Sequence, residues 1–179
     1  MQHNDEAAEM DATDRHLQVW DAMFTAPDGR DRETEGALHR AVRIHQASDR
    51  RLKVVLQDDP MSHDEYMTLH VLVGGQTKGR PRSTPAQLAD LAGVSRAGMT
   101  GRLDKLERSG LVTRTPDSDD RRSVIVEITP AGRAAWERVA HRWSSEEGTL
   151  FDGLSTEELR TLNALLRKAF VALERTDRI

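Results

Sequence analysis

The 179-residue sequence contains no cysteine, and this absence removes several functions at once. Disulfide bonds, thiolate zinc sites and thiol-based redox sensing are excluded for this chain. Aromatic residues make up only 4% of the sequence, and no apolar run reaches the roughly 18 residues that a membrane-spanning helix needs. The acidic N-terminal stretch MQHNDEAAEMDATD lacks the apolar centre of a signal peptide, so we expect a cytoplasmic protein.

Signatures of catalysis are also missing. The sequence has no HExxH, GxSxG or Walker A pattern, and its seven histidines are scattered without the spacing of metal ligands. We therefore expect a protein that is not an enzyme and that needs neither a metal nor a cofactor.

Charge is distributed unevenly along the chain. The formal net charge is −4, yet residues 78–122 contain ten Lys/Arg and six Asp/Glu. A local balance of +4 concentrates positive potential on one part of the surface, which favours nucleic acid as a partner. Lys78, Arg80 and Arg82 would add phosphate contacts there, or they belong to a solvated loop.

A short helix is predicted to begin at Thr84. Thr84 is a typical N-cap, Pro85 suits the first helical position, and Gln87 completes a capping box. Leucine and alanine residues follow at helical spacing. Gly93 then permits a tight turn, because glycine adopts positive φ without steric cost.

A second helix follows this turn, with Ser95 as its N-cap and Gly110 just beyond its end. Met99, Leu103 and Leu106 form its core face. A helix-turn-helix places the N-terminal end of its second helix in the major groove. An ordinary helical hairpin with a solvated polar face is the alternative. The candidate DNA-contacting residues are Thr84 on the first helix and Ser95, Arg96, Ala97, Gly98, Thr100 and Gly101 on the second.

Two β-prone runs, 111–114 and 124–128, flank the turn-forming stretch PDSDDRRS. Helix, turn, helix and hairpin together are the layout of a winged helix-turn-helix. Arg121 and Arg122 at the hairpin tip suit insertion into a narrow minor groove, and Asp120 is placed to hold Arg122. A solvated turn is the alternative for this tip.

The stretch VSRAGMTGRLDKLERSGLVTRTPDSDDRRSVIVEITPAGR resembles the DNA-binding core of MarR-type transcriptional regulators. A weaker resemblance extends over about residues 14–175. It implies a homodimeric, mostly helical protein whose recognition helices and wings straddle a near-palindromic operator in double-stranded DNA. By this resemblance the DNA contacts carry over to Arg96, Thr100, Arg121 and Arg122.

The rest of the chain is predicted to be helical. We expect a flexible acidic tail (1–12), N-terminal helices that form a dimer and ligand lobe (13–60), a winged helix-turn-helix lobe (61–130) and C-terminal dimerisation helices (131–179). Among these helices, Gly74 and Gly75 are expected to end one that begins after Ser62. Apolar residues at 162, 166, 170 and 173 form a stripe that needs a partner surface, either a second copy or the monomer's own core.

Residues 14–24 predict a short amphipathic helix carrying Trp20. An extra tryptophan-bearing helix is similar to that of the urate-responsive branch of the family, which implies a ligand site made by Trp20, an acidic residue before the DNA motif and Arg102. Met67 stands at the acidic position, which argues for a ligand more apolar than urate, while Asp64 and Glu65 are expected to point elsewhere. His45 could line the same crevice. The alternative to a ligand role is that Trp20 packs in a dimer core and that His45 is an ordinary core or surface histidine.

The sequence therefore predicts a mainly α protein with a small β-wing. We expect a DNA-binding transcriptional regulator, specifically a homodimeric repressor released by a small aromatic or anionic ligand. The alternative is a winged-helix protein-interaction module without specific DNA binding. Arginines at both groove-facing sites favour the regulator.

Overall fold

The computed structural model describes residues 10–77, 83–117 and 123–176, which fall into two compact units that divide between Arg50 and Arg51. The mainly helical fold with a small β-wing is confirmed. Within the described ranges the elements are α1 (Ala12–Trp20), α2 (Arg30–Val55), α3 (His63–Thr77), α4 (Pro85–Ala92), α5 (Arg96–Arg108), β1 (Val112–Pro116), β2 (Val124–Ile128), α6 (Pro130–Gly148) and α7 (Thr156–Thr176), with single turns of 3-10 helix at Asp21–Met23 and Thr149–Phe151.

In the first unit, α1 is fixed to α2 mainly by polar contacts. Asp11 caps α1 by accepting the backbone N–H groups of Thr13 and Asp14, and Arg40 on α2 donates to the same carboxylate at 2.9 Å. The Asp14 N–H and the Arg40 guanidinium hold the pKa of Asp11 at about 2. Leu17 is buried at the contact between the two helices, beside Gly36.

In the second unit, one apolar core joins the end of α2 to α3, α4, α5, the sheet and α6. Leucine and valine side chains supply most of it, which is how small helical domains bury enough apolar surface to fold. The largest fully buried apolar side chains are Tyr66, Leu69, Leu88, Met99, Leu103, Leu106, Val112, Val126 and Val139.

Helix α3 begins as predicted and ends later than predicted. Ser62 and Glu65 form a capping box at its start, with the Ser62 N–H donating to the Glu65 carboxylate at 2.7 Å. The prediction that Gly74 and Gly75 end the helix is wrong, because α3 continues to Thr77. A glycine costs only about 1 kcal/mol in a helix interior. Val73, next to the glycine pair, is buried in the core.

The wing is an antiparallel hairpin, and its strands match the two predicted runs within two residues. Val112 pairs with Ile128 and Pro116 with Val124. Ser83 adds one bridge to Val126 on the other side of β2, with the Val126 N–H donating to the Ser83 carbonyl at 2.9 Å. The sheet is thereby tied to the start of the helix-turn-helix.

Helix α6 begins with Pro130 in its first position and Thr129 as its N-cap, where the Thr129 hydroxyl accepts the Gly132 N–H at 2.9 Å. Gly132 packs directly against the Leu111 carbonyl group, where a Cβ would overlap backbone atoms. The Thr129 hydroxyl also donates to the Gly110 carbonyl at 2.8 Å. The start of α6 is thus joined to the segment that follows α5.

Helix α7 has an apolar stripe, yet none of its residues, all of which are described, is buried. Leu165, Leu166, Phe170 and Leu173 are each at least half exposed, at 52–62%. The monomer's own core therefore does not take up this stripe in the described structure. None of the helices in the described ranges combines the length and the apolar character that crossing a lipid bilayer requires.

Candidate nucleic-acid interface

Helix α4 and the turn after it set the position of α5. The Thr84 hydroxyl accepts the Gln87 N–H at 3.3 Å, and the Gln87 side chain accepts the Thr84 N–H at 2.9 Å, so the predicted capping box is confirmed. Gly93 has φ 64°, which also confirms the predicted left-handed turn. Thr84 itself is half-buried, and its hydroxyl oxygen is occupied by this cap.

Helix α5 presents one buried face and one exposed face. Met99, Leu103 and Leu106 are fully buried, as the helical spacing predicts. Ser95 caps the helix by accepting the Gly98 N–H at 3.1 Å. All six candidate residues at the N-terminal end are exposed: Ser95, Arg96, Ala97, Gly98, Thr100 and Gly101. The N-terminal half of α5 is therefore available to a large partner.

Thr100, one of the candidate DNA-contacting residues, has its hydroxyl hydrogen engaged within the helix. The Thr100 hydroxyl donates to the Arg96 carbonyl at 2.9 Å. In this rotamer Thr100 offers acceptor lone pairs and a methyl group. The Arg96 guanidinium supplies the strongest donors, and the Ser95 hydroxyl keeps its proton because the cap uses only its oxygen.

The predicted wing tip lies outside the described residues. This applies to Asp120, Arg121 and Arg122, and also to the basic residues at 78, 80 and 82. The described strands end at Pro116 and Val124, so the hairpin carries the chain toward this tip. The roles assigned to these residues remain predictions from the sequence.

Arg102 on α5 is held by an acidic residue of α3. Its Nη2 lies 2.9 Å from Oδ1 of Asp64, and the Arg102 side chain is only 20% exposed. The expectation that Asp64 points elsewhere is wrong. Asp64 lies in the first turn of α3, within reach of the long arginine side chain. Met67 is half-buried and packs against the apolar core instead.

The other two candidate ligand residues belong to the first unit. Trp20 is the last residue of α1 and is 47% exposed, with its ring centroid 6.4 Å from that of His16. His45 lies on α2 with its side chain 75% exposed, and its Nε2 is 4.0 Å from Asp49 Oδ2. Both side chains are accessible within their own unit.

A cationic side chain that the sequence did not single out lies between the wing and α5. Arg114 on β1 has its Nη2 2.6 Å from Oδ1 of Asp104 and its Nε 3.6 Å from Oε2 of Glu107. The only signal in the sequence is the alternation of β1, which places Arg114 on the same side of the strand as Val112.

Comparisons with known proteins agree with this geometry. A profile of the MarR family matches residues 60–123. The HTH-type transcriptional regulator PecS of Dickeya dadantii is 32% identical over 125 residues, covering 69% of this chain and 74% of PecS. The chain belongs to the MarR family. This family consists of transcriptional regulators.

Solved structures of the MarR family share the fold. Apo wild-type MarR from E. coli matches with a TM-score of 0.64 and 27% identity, covering 74% of this chain and 96% of MarR. A MarR mutant from E. coli complexed with operator DNA matches with a TM-score of 0.62 and 27% identity, covering 74% and 93% of the two chains. The matched protein in the second structure holds DNA.

Proposed function

We propose that this MarR-family chain is a sequence-specific regulator of transcription that binds double-stranded DNA as a homodimer, with α5 in the major groove. The observation that carries the proposal is the exposed N-terminal half of α5 above a fully buried opposite face. The operator-bound state of the related MarR mutant supports the same use of the fold.

The exposed residues of α5 suit close approach to base edges. Ala97, Gly98 and Gly101 have little or no side chain, so the helix backbone can come near the groove floor. A Cβ on Gly101 would meet no atom within 4 Å, so folding alone does not require glycine there. Arg96 can donate two parallel hydrogen bonds to guanine, the commonest specific contact in the major groove.

The wing is proposed to bind in the neighbouring minor groove. Arg121 and Arg122 would enter it, where narrow geometry concentrates negative potential, and Asp120 would orient Arg122. This part of the proposal rests on the sequence and on the family resemblance. The described hairpin supports it by giving the tip a rigid base.

The homodimer is proposed to form through the terminal helices. The exposed leucines and phenylalanine of α7 lie on one side of the helix and would become buried against a second copy. A two-fold dimer presents two recognition helices, which explains why a near-palindromic operator is expected. The predicted division into a central DNA lobe and flanking dimer helices belongs to this proposal.

A small aromatic or anionic ligand is proposed to release the repressor from DNA, as in the urate-responsive branch of the family. Trp20, Met67, Arg102 and His45 are the candidate ligand residues. Arg102 supports the idea because it is a cation on the recognition helix that is largely shielded from solvent, at 20% exposed, and its present partner, Asp64, is 60% exposed. A ligand loosens DNA only if it binds the DNA-free conformation more tightly.

The central test is selection of a duplex from a random-sequence pool with the wild-type protein, followed by affinity measurements at several salt concentrations. We expect Arg96→Ala to cost about 1–3 kcal/mol on the selected duplex, the usual value of a bidentate base contact. The loss on a shuffled duplex should be smaller. Failure to enrich any duplex would favour a protein-interaction module instead.

The ligand test is titration of tryptophan fluorescence with urate and with benzoate, in the wild type and in Trp20→Phe. We expect quenching by the ligand to fall in the variant. Trp136 and Trp143 remain as internal references. An unchanged response would show that Trp20 does not contact the ligand.

A further inference from the structure

Arg114 occupies a core-facing position on the wing strand. It pairs in register with Val126, which is fully buried, and residues directly opposite in antiparallel strands share one face of the sheet. Val112, two residues earlier on β1, is also buried. The position would suit an apolar residue. Instead it holds an arginine whose side chain is 21% exposed.

The Arg114 guanidinium reaches three groups of the recognition helix. Its Nη2 lies 2.6 Å from the Asp104 carboxylate and 3.4 Å from the Thr100 carbonyl oxygen. Its Nε lies 3.6 Å from the Glu107 carboxylate. This Nε is buried and has no hydrogen bond within the described residues, so its contact with Glu107 is purely electrostatic.

These contacts lie on the helix stripe that also carries the proposed DNA-reading residues. Arg96, Thr100 and Asp104 are spaced four residues apart, and Glu107 is three residues further, so they follow one side of α5. The N-terminal half of this stripe is exposed, and the C-terminal half contacts Arg114 through Asp104 and Glu107. A rotation of α5 about its axis would therefore break the contacts of Arg114 and turn Arg96 at the same time.

We propose that Arg114 is a positioning residue for DNA recognition: it fixes the rotation of α5 relative to the wing and neutralises Asp104 and Glu107. This inference rests on the proposed function. Asp104 and Glu107 would otherwise be two uncompensated negative charges on the helix that approaches the phosphates. Like charges facing each other across an interface lower affinity and alter partner choice.

The positioning role of Arg114 can be distinguished from a contribution to the stability of the fold. The carboxylate partners are largely exposed, at 53% for Asp104 and 45% for Glu107. Both carboxylates therefore stay in contact with solvent when Arg114 is replaced, which limits the loss in the free energy of unfolding. Loss of Arg114 is thus expected to change DNA binding more than the melting temperature.

The experiment compares four variants on the duplex selected by the wild type and on a shuffled duplex of equal length. We expect Arg114→Gln to weaken binding to both duplexes by roughly tenfold or more, on the scale of like-charge contacts across an interface. Arg175→Gln makes the same charge change on the polar side of α7, about 180° around the helix from Leu166, so it should leave the dimer intact and match the wild type. Equal behaviour of these two variants would overturn the inference.

Two further variants separate charge from positioning. In the triple variant Arg114→Gln, Asp104→Asn, Glu107→Gln, affinity for the shuffled duplex should recover, while the preference for the selected duplex stays reduced. Arg114→Lys keeps the charge without the forked guanidinium, so it should also lose preference while keeping shuffled-duplex affinity. Full preference in either variant would overturn the positioning role. If the wild type selects no duplex, the proposed function fails instead.

Discussion

Arg102 and Asp64 join the recognition helix to the helix before it, with Arg102 Nη2 2.9 Å from Asp64 Oδ1. The pair is unequal, because the arginine side chain is 20% exposed and the aspartate 60%. An anionic ligand that used Arg102 would have to compete with this carboxylate. Because Arg102 lies on α5, an anion that displaces Asp64 would change a contact that holds the recognition helix to α3.

Replacing Asp64 by asparagine should strengthen the binding of an anionic ligand. The substitution removes the competing charge and keeps the shape of the side chain. We expect benzoate and urate to bind Asp64→Asn more tightly than the wild type, measured by calorimetric titration. The melting temperature should change little, since the pair is largely solvated on the aspartate side.

Asp58→Asn provides the matched control, because it makes the same charge change at an exposed residue. Its ligand affinity should equal that of the wild type. Equal affinities in all three proteins would show that the anion does not use Arg102.

Gly132→Ala should strongly destabilise the protein. A Cβ at this position would overlap the Leu111 carbonyl group, which is backbone and cannot move aside as a flexible side chain could. We expect a loss of about 3 kcal/mol or more in the free energy of unfolding, at the upper end of overpacking effects. Urea unfolding of the purified variants measures it.

Gly148→Ala is the control for that substitution, since Gly148 is the last residue of the same helix and a Cβ there would meet nothing within 4 Å. It should leave stability unchanged or slightly raised. If both variants unfold at the wild-type urea concentration, the joint between Leu111 and α6 is looser than the structure indicates.

Local signals in the sequence predicted the caps and turns of the DNA-binding region correctly. Thr84, Gly93 and Ser95 act on backbone groups within three or four residues, so their roles follow from residue type and spacing alone. The contacts of Arg102 and Arg114 could not be predicted in this way. Each joins residues of different helices or strands, and their geometry depends on how these elements pack.

Helix α3 is a case in which a local signal gave a wrong prediction. The glycine pair at 74 and 75 is a strong stop signal by itself, yet α3 continues to Thr77. Glycine propensity is worth about 1 kcal/mol per residue, which tertiary packing readily exceeds. The DNA contacts assigned to residues 120–122 at the wing tip remain predictions from the sequence.

Gly101→Ala should separate folding from DNA binding. A Cβ on Gly101 meets no atom within 4 Å, and alanine favours helix by about 0.5–1 kcal/mol over glycine, so the variant should be as stable as the wild type or more so. Binding to the selected duplex should nevertheless weaken, because the added methyl group keeps the backbone away from the groove. Thermal melting and mobility-shift titration measure the two effects. A more stable variant with unchanged affinity would place Gly101 away from the DNA.

Leu166→Glu should weaken the proposed homodimer. The Leu166 side chain is 52% exposed in the single chain, so the substitution costs little in the monomer's own core. In a two-fold dimer the new carboxylate would meet the partner's apolar stripe, where burying an unpaired charge is strongly unfavourable. We expect sedimentation velocity to show a dimer for the wild type at micromolar concentration and mostly monomer for the variant.

Operator binding should fall together with dimerisation. Two recognition helices are needed to contact half-sites about one helical turn apart, roughly 10 bp, on one face of the duplex. Lys168→Glu is the matched control, because Lys168 lies about 200° around the helix from Leu166, on the polar side of α7. It should remain dimeric and bind the selected duplex. A wild-type protein that is monomeric at micromolar concentration and still binds that duplex tightly would contradict the dimer.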